Sequence, residues 1–275
     1  MNGRTRWAVV LCVVGSLGRA AAAEAQLLGP TPDPAEPDLT VINLSTTGQI
    51  PPGKLVFRLT HRFSRPLDGF SNNFSFGDLL GDFFGFDSAA RIGFELRVGL
   101  MTGTHIGIHR TNDKTIAVFG QRELVRQGGG SPVGIDAVVS VEGLDNFREQ
   151  YATGVGVVVS RRVARRLAVY VQPLWVANTN PQPSELTDEN HTFQVGLSSR
   201  LRLRPTVYLV GEFMPRAGYT PGTNHASFGI EKRAGGHLFQ LNFSNGLGTT
   251  MGQLARGGSS RDDWFIGFNI TRKFF

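Results

Sequence analysis

The chain has 275 residues and a formal net charge of +6, and charged residues make up 18% of it, below the ~25% of ordinary soluble domains. It lacks the repeated apolar runs of about 20 residues that a multi-helix membrane protein needs, and its single cysteine cannot build a disulfide scaffold. The 35 glycines and 20 phenylalanines suit an all-β protein, including one that crosses a membrane with strands, because average hydropathy does not reveal such strands.

The amino terminus has the pattern of a cleaved secretory signal. Arg4 and Arg6 precede an apolar stretch, residues 7–17, that is too short to span a bilayer, and small residues follow up to Ala25. We therefore predict a signal peptide over residues 1–25, with an uncleaved anchor as the alternative. Its removal lowers the net charge from +6 to +4 and takes the only cysteine with it. A charge this small gives no reason to expect nucleic acid as a partner.

Residues 26–53 contain six prolines. This composition predicts an extended, Pro-rich periplasmic strap or linker. Within it, residues 41–44 form a short apolar patch that is a candidate for docking on the main body of the protein.

From residue 54 onward, apolar and polar residues alternate. Ile92, Phe94 and Leu96, for example, fall on one face of their segment, and Glu95 and Arg97 on the other. This period of two is typical of strands with one apolar face. About twelve segments, each near the length needed to cross a bilayer at a tilt, share it: residues 54–63, 91–100, 104–110, 116–126, 133–141, 151–159, 167–177, 191–203, 206–213, 226–232, 238–244 and 264–274.

The connections between these segments alternate in length. Those that follow odd-numbered segments are mostly long, with residues 111–114 as the exception, whereas those that follow even-numbered segments are short. Outer-membrane barrels have short periplasmic turns and longer outer loops. We therefore predict an all-β fold, a transmembrane antiparallel up-and-down β-barrel over residues 54–275 with both termini in the periplasm. A soluble sandwich shares the alternation but does not require this asymmetry.

The first long loop contains a helical pattern. Its apolar residues recur at the i, i+3, i+4, i+7 and i+8 positions that predict a short amphipathic helix: Phe76, Leu79, Leu80, Phe83 and Phe84. The helix would cap or constrict the barrel mouth, or it would pack on the rim or at the membrane interface.

The polar faces of the strands predict the lining of the lumen. Their mixed charges argue against strong ion selectivity. The predicted lining residues are Glu95, Arg97, His105, His109, Asp136, Gln194, Arg200, Arg202, Tyr208 and Glu212.

Candidate chemistry is sparse in this sequence. His105 and His109 share a polar face but lie about 13 Å apart along a strand, too far to hold one metal ion. His191 and Ser199 share an outward face without a matching catalytic partner. We therefore expect no catalytic residues, no metal, no cofactor and no enzymatic activity, with an outer-membrane lipid hydrolase as a minor alternative.

Arg161, Arg162, Arg165 and Arg166 cluster in a predicted periplasmic turn. We expect them to contact phospholipid headgroups, since a basic residue at an anionic surface gains about 1 kcal/mol. A solvated turn is the alternative.

The carboxyl-terminal strand alternates in apolar character and ends in phenylalanine, and so resembles an outer-membrane insertion signal. The resemblance implies the barrel-insertion machinery as a partner. The chain from about residue 39 onward also resembles an uncharacterised family of bacterial outer-membrane β-barrels, known as a domain of unknown function. That resemblance implies a barrel among outer-membrane lipids and supplies no substrate. The stretches that carry it are residues 40–47, 58–63, 235–245 and 268–272.

Two functional hypotheses follow. The first is a porin-like, narrow, weakly selective channel for small polar solutes. The second is a closed structural or docking barrel that is plugged by the first loop and the strap. Entry of residues 76–84 or 41–44 into the lumen distinguishes them, and the oligomeric state stays open.

Overall fold

The computed structural model describes residues 35–67, 89–128, 130–181, 190–220, 222–259 and 262–275. The predicted signal peptide and the predicted loop helix, Phe76 to Phe84, lie outside these residues. The strands are β1 Leu55–Pro66, β2 Ala90–Met101, β3 Thr104–Thr111, β4 Ile116–Val125, β5 Gly134–Gly143, β6 Glu149–Ala164, β7 Leu167–Ala177, β8 Thr192–Arg204, β9 Val207–Met214, β10 Arg216–Gly218, β11 His225–Ala234, β12 His237–Ser244 and β13 Phe265–Lys273. Two short helices, α1 Leu144–Phe147 and α2 Met251–Ala255, lie in connections.

Twelve of the described strands form a closed antiparallel barrel. Each pairs with its neighbours along the chain, and β1 pairs with β13 in a register that places Val56 opposite Lys273. The short strand β10 pairs with β8 outside the ring of twelve, and β9 continues the ring to β11. The predicted twelve-stranded barrel is therefore confirmed.

The two faces of the sheet are the reverse of those in a soluble sandwich. On β2, the side chain of Phe94 is 53% exposed on the outside, whereas Arg97 is 3% exposed on the inside. The same contrast recurs around the barrel, with apolar side chains outside and polar side chains inside. An apolar exterior is stable in a bilayer, where no water is available to solvate polar groups. No helix in the described ranges is long and apolar enough to span a membrane.

One end of the barrel carries short turns. Residues 102–103, 165–166, 205–206 and 235–236 each connect two strands. Gly103 adopts a φ of +74°, a conformation that glycine reaches without strain and that tight hairpins require. The longest connections, residues 67–89, 178–191 and 245–264, lie at the opposite end, so we assign the short-turn end to the periplasm, as in other outer-membrane barrels.

Strand β6 is longer than its alternation predicts. It continues to Ala164, where it still pairs with Leu167 of β7. Arg161 and Arg162 lie in this extension. Because both are charged, the alternation of apolar and polar residues does not predict this part of the strand.

Candidate functional site

The lumen contains a segment of the chain itself. Residues 38–50, the luminal hairpin, precede β1 and fold back on themselves inside the barrel. The Thr46 N–H donates to the Leu39 carbonyl at 2.8 Å, and the Val41 N–H donates to the Leu44 carbonyl at 2.9 Å. Ile42, near the tip, is fully buried. The sequence predicted a periplasmic strap here, and the structure places residues 38–50 between the barrel walls.

Side chains of the wall bind the main-chain N–H groups of the hairpin. The Glu212 Oε1 atom on β9 accepts hydrogen bonds from Ile42, Asn43 and Leu44 at 2.7, 2.8 and 2.8 Å. Three successive N–H groups that converge on one oxygen form an anion-binding nest. A further N–H group, that of Ser45, donates to the Gln172 side chain at 3.1 Å.

The hairpin carbonyls are bound by donors from several strands. An arginine or a side-chain amide suits this role because each presents N–H donors at the end of a side chain. The Thr40 carbonyl accepts a hydrogen bond from Arg200 at 2.7 Å, and the Val41 carbonyl accepts one from Gln240 at 2.7 Å. The Ile42 carbonyl accepts from Asn269 at 3.0 Å and also from Arg58. The Thr46 carbonyl accepts from Gln121 at 2.7 Å.

Contacts through hairpin side chains are fewer. They lie mainly at the two arms of the hairpin, away from the turn. The Asp38 side chain accepts a hydrogen bond from Thr271 at 2.9 Å, and the Asn43 side chain accepts one from Arg62 at 3.0 Å. The hydroxyl groups of Thr47 and Ser160 share a hydrogen bond at 2.5 Å. The Gln49 side chain donates to Asp136 at 2.9 Å.

The loop between β12 and β13 folds into the opposite mouth. Its helix α2 is buried from Gly252 to Ala255. Glu142 of β5 anchors it, because one carboxylate oxygen accepts from the Thr250 hydroxyl at 2.6 Å and from the Gly252 N–H at 3.0 Å. Leu254 of this helix and Leu44 of the hairpin belong to one buried apolar cluster, together with Met214 of β9. The two insertions therefore meet inside the barrel.

A turn outside the strands also supports α2. Gln253 donates to Asp113 at 3.2 Å. Burial alone would raise the pKa of Asp113, but the Thr111 hydroxyl and the nearby Arg91 outweigh it and lower this pKa below its usual value. Asp113 is therefore charged at neutral pH and holds the loop through its carboxylate.

Charges of both signs meet on the wall of β1, β2 and β3. Glu95 lies 2.5 Å from the Arg97 Nε atom, 3.6 Å from Arg58 and 3.6 Å from His109. All four side chains are almost fully buried. One carboxylate therefore serves two guanidinium groups, and its removal would leave both without this partner.

The predicted lining residues fall mostly inside the barrel. The structure brings Glu95, Arg97 and His109 together, and it brings Arg200 and Glu212 to the hairpin. Arg202 is half-buried towards the short-turn end. The buried members of the set are Glu95, Arg97, His105, His109, Asp136, Gln194, Arg200, Tyr208 and Glu212.

Sequence reasoning missed several residues that hold the hairpin. They occupy polar-face positions of their strands, so the same alternation could have identified them. They are Arg58, Arg62, Gln121, Gln172, Gln240 and Asn269.

The arginine cluster is divided by the structure. Arg161 is buried, whereas Arg165 and Arg166 are exposed at the turn between β6 and β7. Arg162 lies 3.5 Å from Glu36, just before the hairpin. This ion pair ties the start of the described chain to the rim at the short-turn end of the barrel.

The residues that the sequence offered as catalytic or metal-ligand candidates do not form a site. His191 contacts Trp175 with ring centroids 5.5 Å apart, and Ser199 lies further along β8, opposite Val169. In the portion of the chain that the structure describes, no group of three potential metal ligands forms. His105, Gln194 and His225 are buried inside, with side-chain nitrogen or oxygen atoms that make no hydrogen bond to another described residue.

Gly99 on β2 lies against the outgoing arm of the hairpin. A Cβ atom there would lie 2.3 Å from the Pro51 carbonyl oxygen and 2.6 Å from that of Ile50. These are backbone atoms, so the arm itself must move, at a cost of about 1–3 kcal/mol. We expect Gly99→Val to increase proteolytic cleavage within residues 38–50 about tenfold or more while the barrel still folds.

The matched control is Gly120→Val. Gly120 faces outward on β4, and a Cβ atom there would have its nearest neighbours at 3.8 Å. Equal protease resistance of the hairpin in the two variants would contradict the close fit at Gly99.

A family model described as membrane bound beta barrel domain (DUF5777) matches residues 38–274. The matched region thus begins with the luminal hairpin and includes the whole barrel. A search of curated proteins finds no match.

Solved outer-membrane barrels have a similar fold. The KdgM porin in complex with disordered oligogalacturonate matches with 6% identity and a TM-score of 0.51, over 81% of this chain and 99% of that one. The NanC porin matches with 7% identity and a TM-score of 0.50, over 81% and 100%. The COG4313 outer membrane channel from Pseudomonas putida F1 matches with 10% identity and a TM-score of 0.50, over 90% and 100%. Identities this low show the fold alone.

Proposed function

Because the chain belongs to the DUF5777 family of membrane-bound β-barrel domains, we propose that it is a gated outer-membrane channel for small polar solutes, with the luminal hairpin as its gate. The observation that carries the proposal is the way the hairpin is held. It binds side chains of the wall, and it takes no part in the strand pairing that closes the barrel. The hairpin can therefore leave the lumen without breaking the sheet.

The lining of the lumen supports a polar solute. Buried arginines and buried carboxylates both line the wall, so neither sign of charge dominates. A pore with such a lining favours weak selectivity between small anions and cations. The backbone bonds from Glu212 and Arg200 would be exchanged for water or solute when the hairpin leaves.

A closed structural or docking barrel is the second candidate. Two observations favour it: residues 41–44 lie inside the lumen, as expected of a barrel that is plugged by its strap, and Leu44, Leu254 and Met214 form one apolar cluster that joins the hairpin to the inward loop. We propose no catalytic activity for either candidate, because His191 and Ser199 do not form a hydrolytic pair.

A reversible disulfide tests the gate. Thr47 and Ser160 have hydroxyl oxygens 2.5 Å apart, so cysteines at both positions are close enough to join the hairpin to β6. We expect the oxidised Thr47→Cys/Ser160→Cys protein to conduct no ions in planar bilayers. Reduction should restore channel openings, because the hairpin is then free to leave.

The two single-cysteine variants are the matched controls, and their conductance should not depend on the redox state. If the double variant conducts equally when oxidised and reduced, the hairpin is not the gate. If neither form conducts, the docking barrel replaces the channel as the proposed function.

A further inference from the structure

We propose that the lumen is a binding site for peptides, specifically for short peptides that form a tight turn. The inference rests on the proposed function, since it names the class of solute or ligand that enters once the hairpin has left. The hairpin is then a resident ligand whose binding shows what the wall recognises.

The first step is the recognition of N–H groups. Glu212 binds three successive main-chain N–H groups with one oxygen atom, and Gln172 binds the next. Successive N–H groups converge in this way only where the chain turns. A saccharide without amides has no equivalent row of donors, so this part of the wall fits an amide chain.

The second step is the recognition of carbonyl groups. Arg200, Gln240 and Asn269 donate to the carbonyls of three consecutive hairpin residues at 2.7, 2.7 and 3.0 Å, and Arg58 joins Asn269 on the last of them. The wall therefore offers donors beside its acceptor Glu212. Their arrangement matches the N–H and C=O groups of a peptide backbone.

The third step concerns side chains. Near the turn, the hydrogen bond from Arg62 to Asn43 engages a hairpin side chain, whereas the contacts from Glu212, Arg200 and Gln240 engage backbone atoms. Backbone atoms are common to all peptides. We therefore expect the site to accept turns of different sequence, much as strand addition draws its affinity from the main chain.

The experiment turns the hairpin into a separate peptide without removing it from the folding chain. A protease site is inserted after Gly53, which lies in an exposed turn with nothing near its Cβ position. The folded barrel is cut there and then challenged with an excess of a fluorescein-labelled peptide of residues 35–52. Fluorescence anisotropy measures the binding.

Three probes separate backbone from side-chain recognition. A peptide with residues 39–46 in shuffled order should bind within about tenfold of the native peptide, because it offers the same backbone atoms. A peptide that is N-methylated at residues 42–44 should bind about 100-fold more weakly, because it lacks the donors to Glu212. Neutral and acidic oligosaccharides should not displace the labelled peptide.

A pair of barrel variants completes the test. Glu212→Ala should weaken binding of the native peptide about 100-fold, whereas Glu149→Ala, at an exposed position on β6, should not change it. Failure of the native peptide to enter, unaltered binding after N-methylation, or displacement by a saccharide but not by the shuffled peptide would overturn the peptide site.

Conductance of the same cut protein separates this inference from the channel proposal. A barrel that conducts after cutting but binds no peptide retains the channel and rejects the peptide site. A barrel that binds the peptides as expected but never conducts retains the site and rejects the channel.

Discussion

Glu212→Ala is expected to expel the luminal hairpin from the barrel. The substitution removes the common acceptor of three main-chain N–H groups, and each buried donor left unpaired costs about 1–3 kcal/mol. This cost weakens the hold of the wall on the hairpin, so the hairpin should leave the lumen for water more often. Hydrogen exchange at residues 41–46 and the open probability of the channel should both rise.

Two further variants calibrate this result. Glu212→Gln keeps one acceptor oxygen but loses its charge, so its exchange rates should lie between those of the wild type and of Glu212→Ala. Glu149→Ala should match the wild type, because Glu149 is exposed and contributes nothing to the lumen. Wild-type protection of residues 41–46 in Glu212→Ala would show that the carboxylate does not retain the hairpin.

Glu95→Ala should have the largest effect on the stability of the barrel itself. It leaves Arg58 and Arg97 buried without the carboxylate they share. Removal of one partner from a buried ion pair typically costs 3–5 kcal/mol, because the remaining charge is no longer compensated. We expect the free energy of unfolding, measured by urea titration in lipid vesicles, to fall by about this amount.

The control uses an ion pair near the surface. Glu123 pairs with Arg126 at 2.9 Å, and the arginine side chain is 67% exposed. Glu123→Ala should cost about 1 kcal/mol or less. A similar loss in both variants would mean that water in the lumen solvates Arg58 and Arg97 as well as it solvates Arg126 at the rim.

The barrel was predictable because its strands obey one simple rule. Successive residues face the lipid and the lumen in turn, with Phe94 outward and Arg97 inward, for example. The sequence shows this directly as an alternation of apolar and polar residues with a period of two. Arg161 and Arg162 departed from the rule, and the end of β6 was accordingly missed. The short strand β10 has three residues, too few to show any period.

The position of the hairpin was less predictable. The apolar patch at residues 41–44 marked it as a docking segment, with entry into the lumen as one alternative, but a patch does not specify the surface on which it docks. That surface is assembled from side chains distant in sequence, among them Arg58, Glu212 and Asn269. Their convergence depends on barrel closure, which local patterns do not encode.

The bonds to Ile42 have a consequence for how the molecule is assembled. Its carbonyl accepts from Arg58 on β1 and from Asn269 on β13, the two strands that form the seam between the beginning and the end of the barrel. The hairpin thus spans the last junction to close. A chain that seats its hairpin early would bring the first and last strands into register as the final strand arrives. The hairpin would then serve as an internal template for insertion.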